Sequence, residues 1–179
     1  WANASLVRDP GETLTFSADL LGFVTPQVFH PLWGDWALDR SAAFSATPSE
    51  YTVFAGFTVL FLAGIALMAT RKQRRNAKTR QQPAAAAASA STSAWFWMLA
   101  AGVFAVLALG PVLKVNGRSD LLPGGGQIPL PYALLYRIIP FIKLSRSVSR
   151  FDVLVMLCLG VAAAFGVAAL TRWAVRRSI

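Results

Sequence analysis

Lys143, Arg146 and Arg150 are the residues whose types and spacing come nearest to a chemistry. On a helix over 141–150 they fall at i, i+3 and i+7, which puts three cations on one face. Arginine offers a planar fork that matches phosphate oxygens, and Ser145, Ser147 and Ser149 add hydroxyl donors beside it. A lipid-linked phosphate suits such a face at a membrane surface; the competing reading is that these side chains snorkel to lipid headgroups. The acids Asp9, Glu12, Asp19, Asp35, Asp39 and Glu50 are candidates for a general base on a hydroxyl acceptor, but none stands out. Most read as solvated loop acids, Glu50 as part of a helix cap, and Asp19 as a first-turn residue of a short surface helix. His30 is the single histidine, set between Phe29 and Pro31, and reads as structural or interfacial. With Cys158 inside an apolar run, no metal-ligand set assembles. Gly124, Gly125 and Gly126 lack the Gly-Lys-Ser/Thr ending of a phosphate loop and read as a turn.

The elements that must position these groups follow from hydropathy. Hydrophobic residues make up 55% of the chain and charged residues 14%, and the mean hydropathy is +0.51. That composition is too apolar for an ordinary soluble domain and calls for lipid as part of the solvent. Three apolar runs, 51–70, 95–113 and 151–170, the first two without any charge, each approach the length needed to cross a hydrocarbon core of about 30 Å at about 1.5 Å per residue. Thr47, Pro48, Ser49 and Glu50 form a capping pattern before the first; Trp95 and Trp97 open the second at an interface, and Gly110-Pro111 closes it. Ser149 with Asp152 resembles a cap for the third, and Trp173 marks its far interface. The expected fold is therefore all-α integral membrane, with three transmembrane helices and short interfacial helices in the outer loops. Within the third run, Gly160 with Ala164 and Ala162 with Gly166 repeat small residues at every fourth position, a pattern that permits close helix packing.

Charge orients the chain. Arg71, Lys72, Arg74, Arg75, Lys78 and Arg80 occupy the loop 71–94 with no acid, and Arg172, Arg176 and Arg177 occupy the tail 171–179. Both belong in the cytoplasm by the positive-inside rule, which puts 1–50 and 114–150 outside. The alanine- and serine-rich end of loop 71–94 reads as a flexible connector, although alanine permits helix. The net charge of +9 does not imply nucleic acid, because the basic run is short, lacks interleaved aromatics and is tied to apolar helices. The expected location is a bacterial cytoplasmic membrane, with membrane lipids as partners. In the outer loop, Lys114, Arg118, Arg137, Lys143, Arg146 and Arg150 face only Asp120, so something anionic should compensate them. Residues 128–142, broken by Pro129, Pro131 and Pro140, are too short to span and should lie along the outer surface.

Two stretches resemble a known group. Phe16-Ser17-Ala18-Asp19-Leu20-Leu21-Gly22-Phe23, then Pro26 and His30-Pro31-Leu32, and later Leu130-Pro131-Tyr132, Pro140-Phe141 and 144–151 look like bacterial polytopic proteins of the GT-C glycosyltransferase and YfhO-like kinds. The resemblance implies transfer of a sugar from a polyprenyl-phosphate donor on the outer face. Arg146 and Arg150 would be nearest the lipid phosphate, with Lys143 a weaker member. It also implies a catalytic base in a first outer loop that lies upstream of Trp1, so the chain reads as the C-terminal portion of a larger protein whose remaining helices complete it. The rival is a non-catalytic polytopic membrane protein that handles lipid or assists assembly, and a transport component ranks after it.

Overall fold

A computed structural model describes residues 15–44, 53–79, 84–139, 142 and 148–178. Among them the regular structure is helical: a 3-10 turn at Leu20–Phe23, α1 (Gly34–Ser41), α2 (Phe57–Thr79), α3 (Ala84–Ala108), α4 (Pro131–Ile138), a 3-10 turn at Val148–Phe151, and α5 (Asp152–Arg177). No strand occurs among the described residues, only isolated antiparallel bridges. The chain divides into two compact units, Trp1–Phe54 with Phe104–Asp152, and Ala55–Val103 with Val153–Ile179.

The first unit is built on a small core of Ala18, Val53, Ala108 and Leu109, against which Phe23, Leu113, Leu130 and Phe151 pack. Backbone bonds tie the early segment to later ones: Ala18 N–H donates to Ala108 O at 2.9 Å and Leu20 N–H to Lys114 O at 3.0 Å. The loop after α3 folds back on itself, with Leu113 N–H on Ile128 O at 3.0 Å and Leu130 N–H on Pro111 O at 2.9 Å. Its return strand-like stretch delivers Pro131 to the start of α4, where a missing N–H leaves no bond unmade. His30 closes the turn before α1, its Nδ1 accepting from Leu32 N–H at 3.2 Å and Trp33 N–H at 3.3 Å.

The second unit contains α2, most of α3 and nearly all of α5. Gly166 of α5 lies directly against the Leu62 carbonyl of α2, where any side chain would collide with backbone. The Ala162/Gly166 pair is thus buried in packing within the chain, while Gly160 and Ala164 face outward. The outward surfaces are apolar: Phe57, Phe61 and Met68 on α2, Phe96, Leu99 and Val103 on α3, and Val153, Leu157 and Val167 on α5 are exposed.

Several details differ from the sequence expectation. The second apolar helix ends at Ala108 rather than at 113, because Gly110 turns the chain at positive φ and Leu113 N–H bonds to Ile128 O. The first long helix starts at Phe57 rather than at 51, because Val53 is buried in the first unit's core; the cap residues 47–50 lie outside the described residues. The basic and alanine-rich connector is largely helical, since α2 continues to Thr79 and α3 begins at Ala84. Alanine has the highest helix propensity, and the serines among it are tolerated once the helix is extended by an apolar segment. Finally, α5 runs to Arg177, past the expected end at 170. Among the described residues, one helix, Val148–Arg177, is long and apolar enough to cross a membrane, and a shorter apolar helix covers Ala94–Ala108.

Candidate functional site

Of the three cations expected to meet a phosphate, Arg150 falls within the described residues; Lys143 and Arg146 lie outside them. Arg150 is exposed and belongs to the 3-10 turn Val148–Phe151 that leads into α5. Its neighbours on both sides are anchored. Val148 and Ser149 are buried, and Phe151 packs on the core. Ser149 N–H, which a capping box would give to Asp152, donates to Phe16 O at 3.3 Å. The two motif stretches, 16–23 and 144–151, therefore meet in space although more than a hundred residues separate them in sequence.

At that junction the polar centre is Asp19. It caps the turn Leu20–Phe23 and is buried, with 3% of its surface exposed. Its Oδ1 accepts from Leu21 N–H at 2.9 Å and from Asn116 N–H at 3.1 Å, and its Oδ2 accepts from Gly117 N–H at 2.7 Å. The donors come from a two-residue hairpin, Val115 bridged to Arg118, with Asn116 at φ 55° and Gly117 at φ 76°. Positive φ at both central positions is the type I′ geometry that Asn-Gly favours. It turns successive N–H groups to one side, a concavity suited to an anion, and Asp19 fills it. Gly117 is required twice over, since a Cβ there would also strike the Ala43 carbonyl.

Lys114 lies beside this carboxylate and is itself buried, with 4% exposed. Burial pushes its ammonium down to about 8, opposed by the attraction of Asp19. The loop cation that lacked a local acid thus finds one in the first segment of the chain. Asp19 is not the surface acid that sequence suggests: with three backbone donors and a lysine around it, it stabilises the junction and is not placed to accept a proton from a substrate.

Two polar atoms at the junction are buried without a partner among the described residues, Tyr132 Oη and Asp152 Oδ1. Tyr132 is fully buried at the start of α4, with its ring 6.5 Å from that of Phe151 in an edge-on arrangement. Burial, and secondarily the neighbouring Tyr136, push its phenol up to about 12, so it is a hydrogen-bond donor across the physiological range. No protein-family model, curated protein or solved structure matches this chain.

Sequence reasoning finds Arg150 and Ser149 but misses Lys114, the Asn116-Gly117 turn and Tyr132 as partners of one site. The Asn-Gly dipeptide between Val115 and Arg118 is the signal that could have located the hairpin. Nothing local signals that its N–H groups receive Asp19.

Proposed function

We propose that this chain is part of an integral membrane protein that crosses the bilayer three times, through α2, α3 and α5. The observation that carries this reading is exposure: only 33% of the most apolar stretch of Val148–Arg177 is buried. A core helix of a soluble protein would be mostly covered, whereas lipid can take the place of the missing cover. Exposed Phe61, Met68, Phe96 and Leu99 extend the same argument to α2 and α3. Around α1, exposed Phe29, Leu32, Trp33, Trp36 and Leu38 suit a helix lying in the interfacial zone.

Within that frame we infer a role at a lipid-linked phosphate on the outer face, as in GT-C-like transfer of a sugar from a polyprenyl-phosphate donor. Support comes from the motif resemblance, from the meeting of its two stretches through Ser149 and Phe16, and from the exposure of Arg150 beside them. Arg150, joined by Arg146 and Lys143, would neutralise charge left on the departing phosphate. The occupied state of Asp19 favours the second reading for this part of the chain, a non-catalytic one in which the arginines hold headgroups, and it leaves the base of a transfer reaction to the rest of the parent protein.

The orientation is tested by a cysteine placed at Lys78 in a Cys158→Ser background. It should resist an impermeant maleimide applied to intact cells and react after permeabilisation; labelling from outside inverts the topology. In the full parent, Arg146→Ala with Arg150→Ala should reduce sugar transfer at least ~100-fold, the scale of losing charged transition-state contacts. Unchanged transfer removes the glycosyltransferase role of these arginines.

A further inference from the structure

The two units differ in charge in a way that points to a ligand at the other face of the membrane. All eight acids of the chain lie in Trp1–Phe54 and Phe104–Asp152, so the second unit carries cations alone. Its described cations lie in the C-terminal parts of helices: Arg71, Lys72 and Arg75 on α2, and Arg172, Arg176 and Arg177 on α5, all exposed. Two of these arginines lie over indole rings. Arg71 Cζ lies 5.7 Å from the ring centre of Trp95 on α3, and Arg177 Cζ lies 4.0 Å from that of Trp173.

Arg71 and Arg176 share a depth. In a chain crossing three times α2 and α5 run in the same direction, and they touch at Leu62 and Gly166. From that contact, Arg71 lies ~14 Å along α2 and Arg176 ~15 Å along α5 at about 1.5 Å per residue. Trp95 joins the level through its contact with Arg71.

From this geometry we infer that the Arg/Trp end of the second unit is a binding surface for anionic phospholipid headgroups of the cytoplasmic leaflet. This rests on the membrane reading above and adds the partner. A guanidinium over an indole ring keeps N–H groups available for phosphate oxygens, and indoles favour the zone where headgroup meets hydrocarbon. The anion must therefore arrive at an apolar boundary, which a phospholipid does and a nucleic acid does not. The unit holds no acid, so an anionic headgroup meets no like charge there.

The test uses the full chain in vesicles of phosphatidylcholine, with or without phosphatidylglycerol, followed by native mass spectrometry of the lipid retained. Wild type should retain phosphatidylglycerol at least ~5-fold over phosphatidylcholine, given several cations at the surface. Replacing Arg71, Arg75, Arg176 and Arg177 by Gln should abolish that preference, replacing them by Lys should keep part of it, and Arg118→Gln with Arg137→Gln should leave it intact. Circular dichroism of each variant confirms that its helices persist. Equal retention of the two lipids, a preference that survives the four Gln substitutions, or one lost equally in the Arg118/Arg137 control overturns the inference. So does displacement of the lipid by inorganic phosphate or by RNA, which would make the surface a general polyanion site. Failure of the chain to co-float with either vesicle overturns the membrane reading and this inference with it; co-flotation without lipid preference overturns this inference alone.

Discussion

In the unit formed by Trp1–Phe54 and Phe104–Asp152, acids and bases occur together, and the central acid is buried under backbone donors. In the unit formed by Ala55–Val103 and Val153–Ile179 there is no acid, so the net charge of +9 comes from its Lys and Arg residues, and the described helices expose apolar sides. The first kind of structure supplies its own electrostatic partners, at defined distances, inside a small core. The second carries cations without acids, on helices whose exposed sides are apolar. A sequence of high hydropathy can therefore contain a segment specified by polar contacts beside one specified by shape and solvent, and the two should respond to different perturbations.

The sharpest way to break the comparison is Asp19→Ala. It leaves three buried N–H groups without an acceptor and Lys114 without its counter-charge, so a loss of ~3–5 kcal/mol is expected, the scale of removing one member of a buried ion pair. Asp19→Asn should do nearly as badly, because its amide nitrogen would face either Gly117 N–H or the two donors on Oδ1. Thermal unfolding in detergent measures both; an Asn variant as stable as wild type would show that the carboxylate charge is irrelevant.

Gly166→Val makes the complementary test in the second unit, where nothing polar is at stake. Its side chain would meet the Leu62 carbonyl, a backbone atom that cannot swing aside. The expected destabilisation is ~2–3 kcal/mol, as for overpacking, with α2 and α5 forced apart. Gly160→Val, on the outward face, should change stability little, since a Cβ there would meet nothing within 4 Å beyond its own stretch of helix. Equal effects at the two glycines would remove the distinction between packed and outward-facing sides of α5.

The smallest expected effect is a pH profile confined to the first unit. Lys114 holds its proton up to about 8 when folded against 10.5 ordinarily. Between those values the unfolded chain binds a proton that the folded chain has released, so stability rises as pH climbs from about 8. Tyr132 acts oppositely: raised from 10.0 to about 12, it keeps its proton when the unfolded chain loses it, so stability falls above pH 10. Unfolding temperatures should therefore peak near pH 10. Lys114→Met should remove the rising limb and Tyr132→Phe the falling one; a flat profile in wild type would show that neither group is held as described.

How much of this is legible in the sequence depends on the range of the interaction. The helix α5 can be read because an uncharged run followed by Trp173, Arg176 and Arg177 needs no distant partner to declare itself. The start of α2 cannot, since a residue far along the chain decides whether Val53 joins a helix or a core. Likewise the helicity of the alanine tract is local and visible in propensity, yet composition alone suggests a linker. Asp19 is the hardest case: its donors Asn116 and Gly117 stand 97 and 98 residues away, so its type and neighbours describe a loop acid while its contacts make it a buried one. Arg150 shows the middle ground, legible as a surface cation but not as the residue next to an anchored junction.

The Asn116-Gly117 hairpin also sets a chemical lifetime. Asparagine before glycine ages when the glycine nitrogen attacks the side-chain amide carbon, closing a cyclic imide and releasing ammonia. That nitrogen must first turn toward the side chain, and here its N–H is engaged with Asp19 Oδ2 at 2.7 Å. The folded hairpin protects the pair from this ageing, and the slow accumulation of isoaspartate at position 116 records how often the turn has opened.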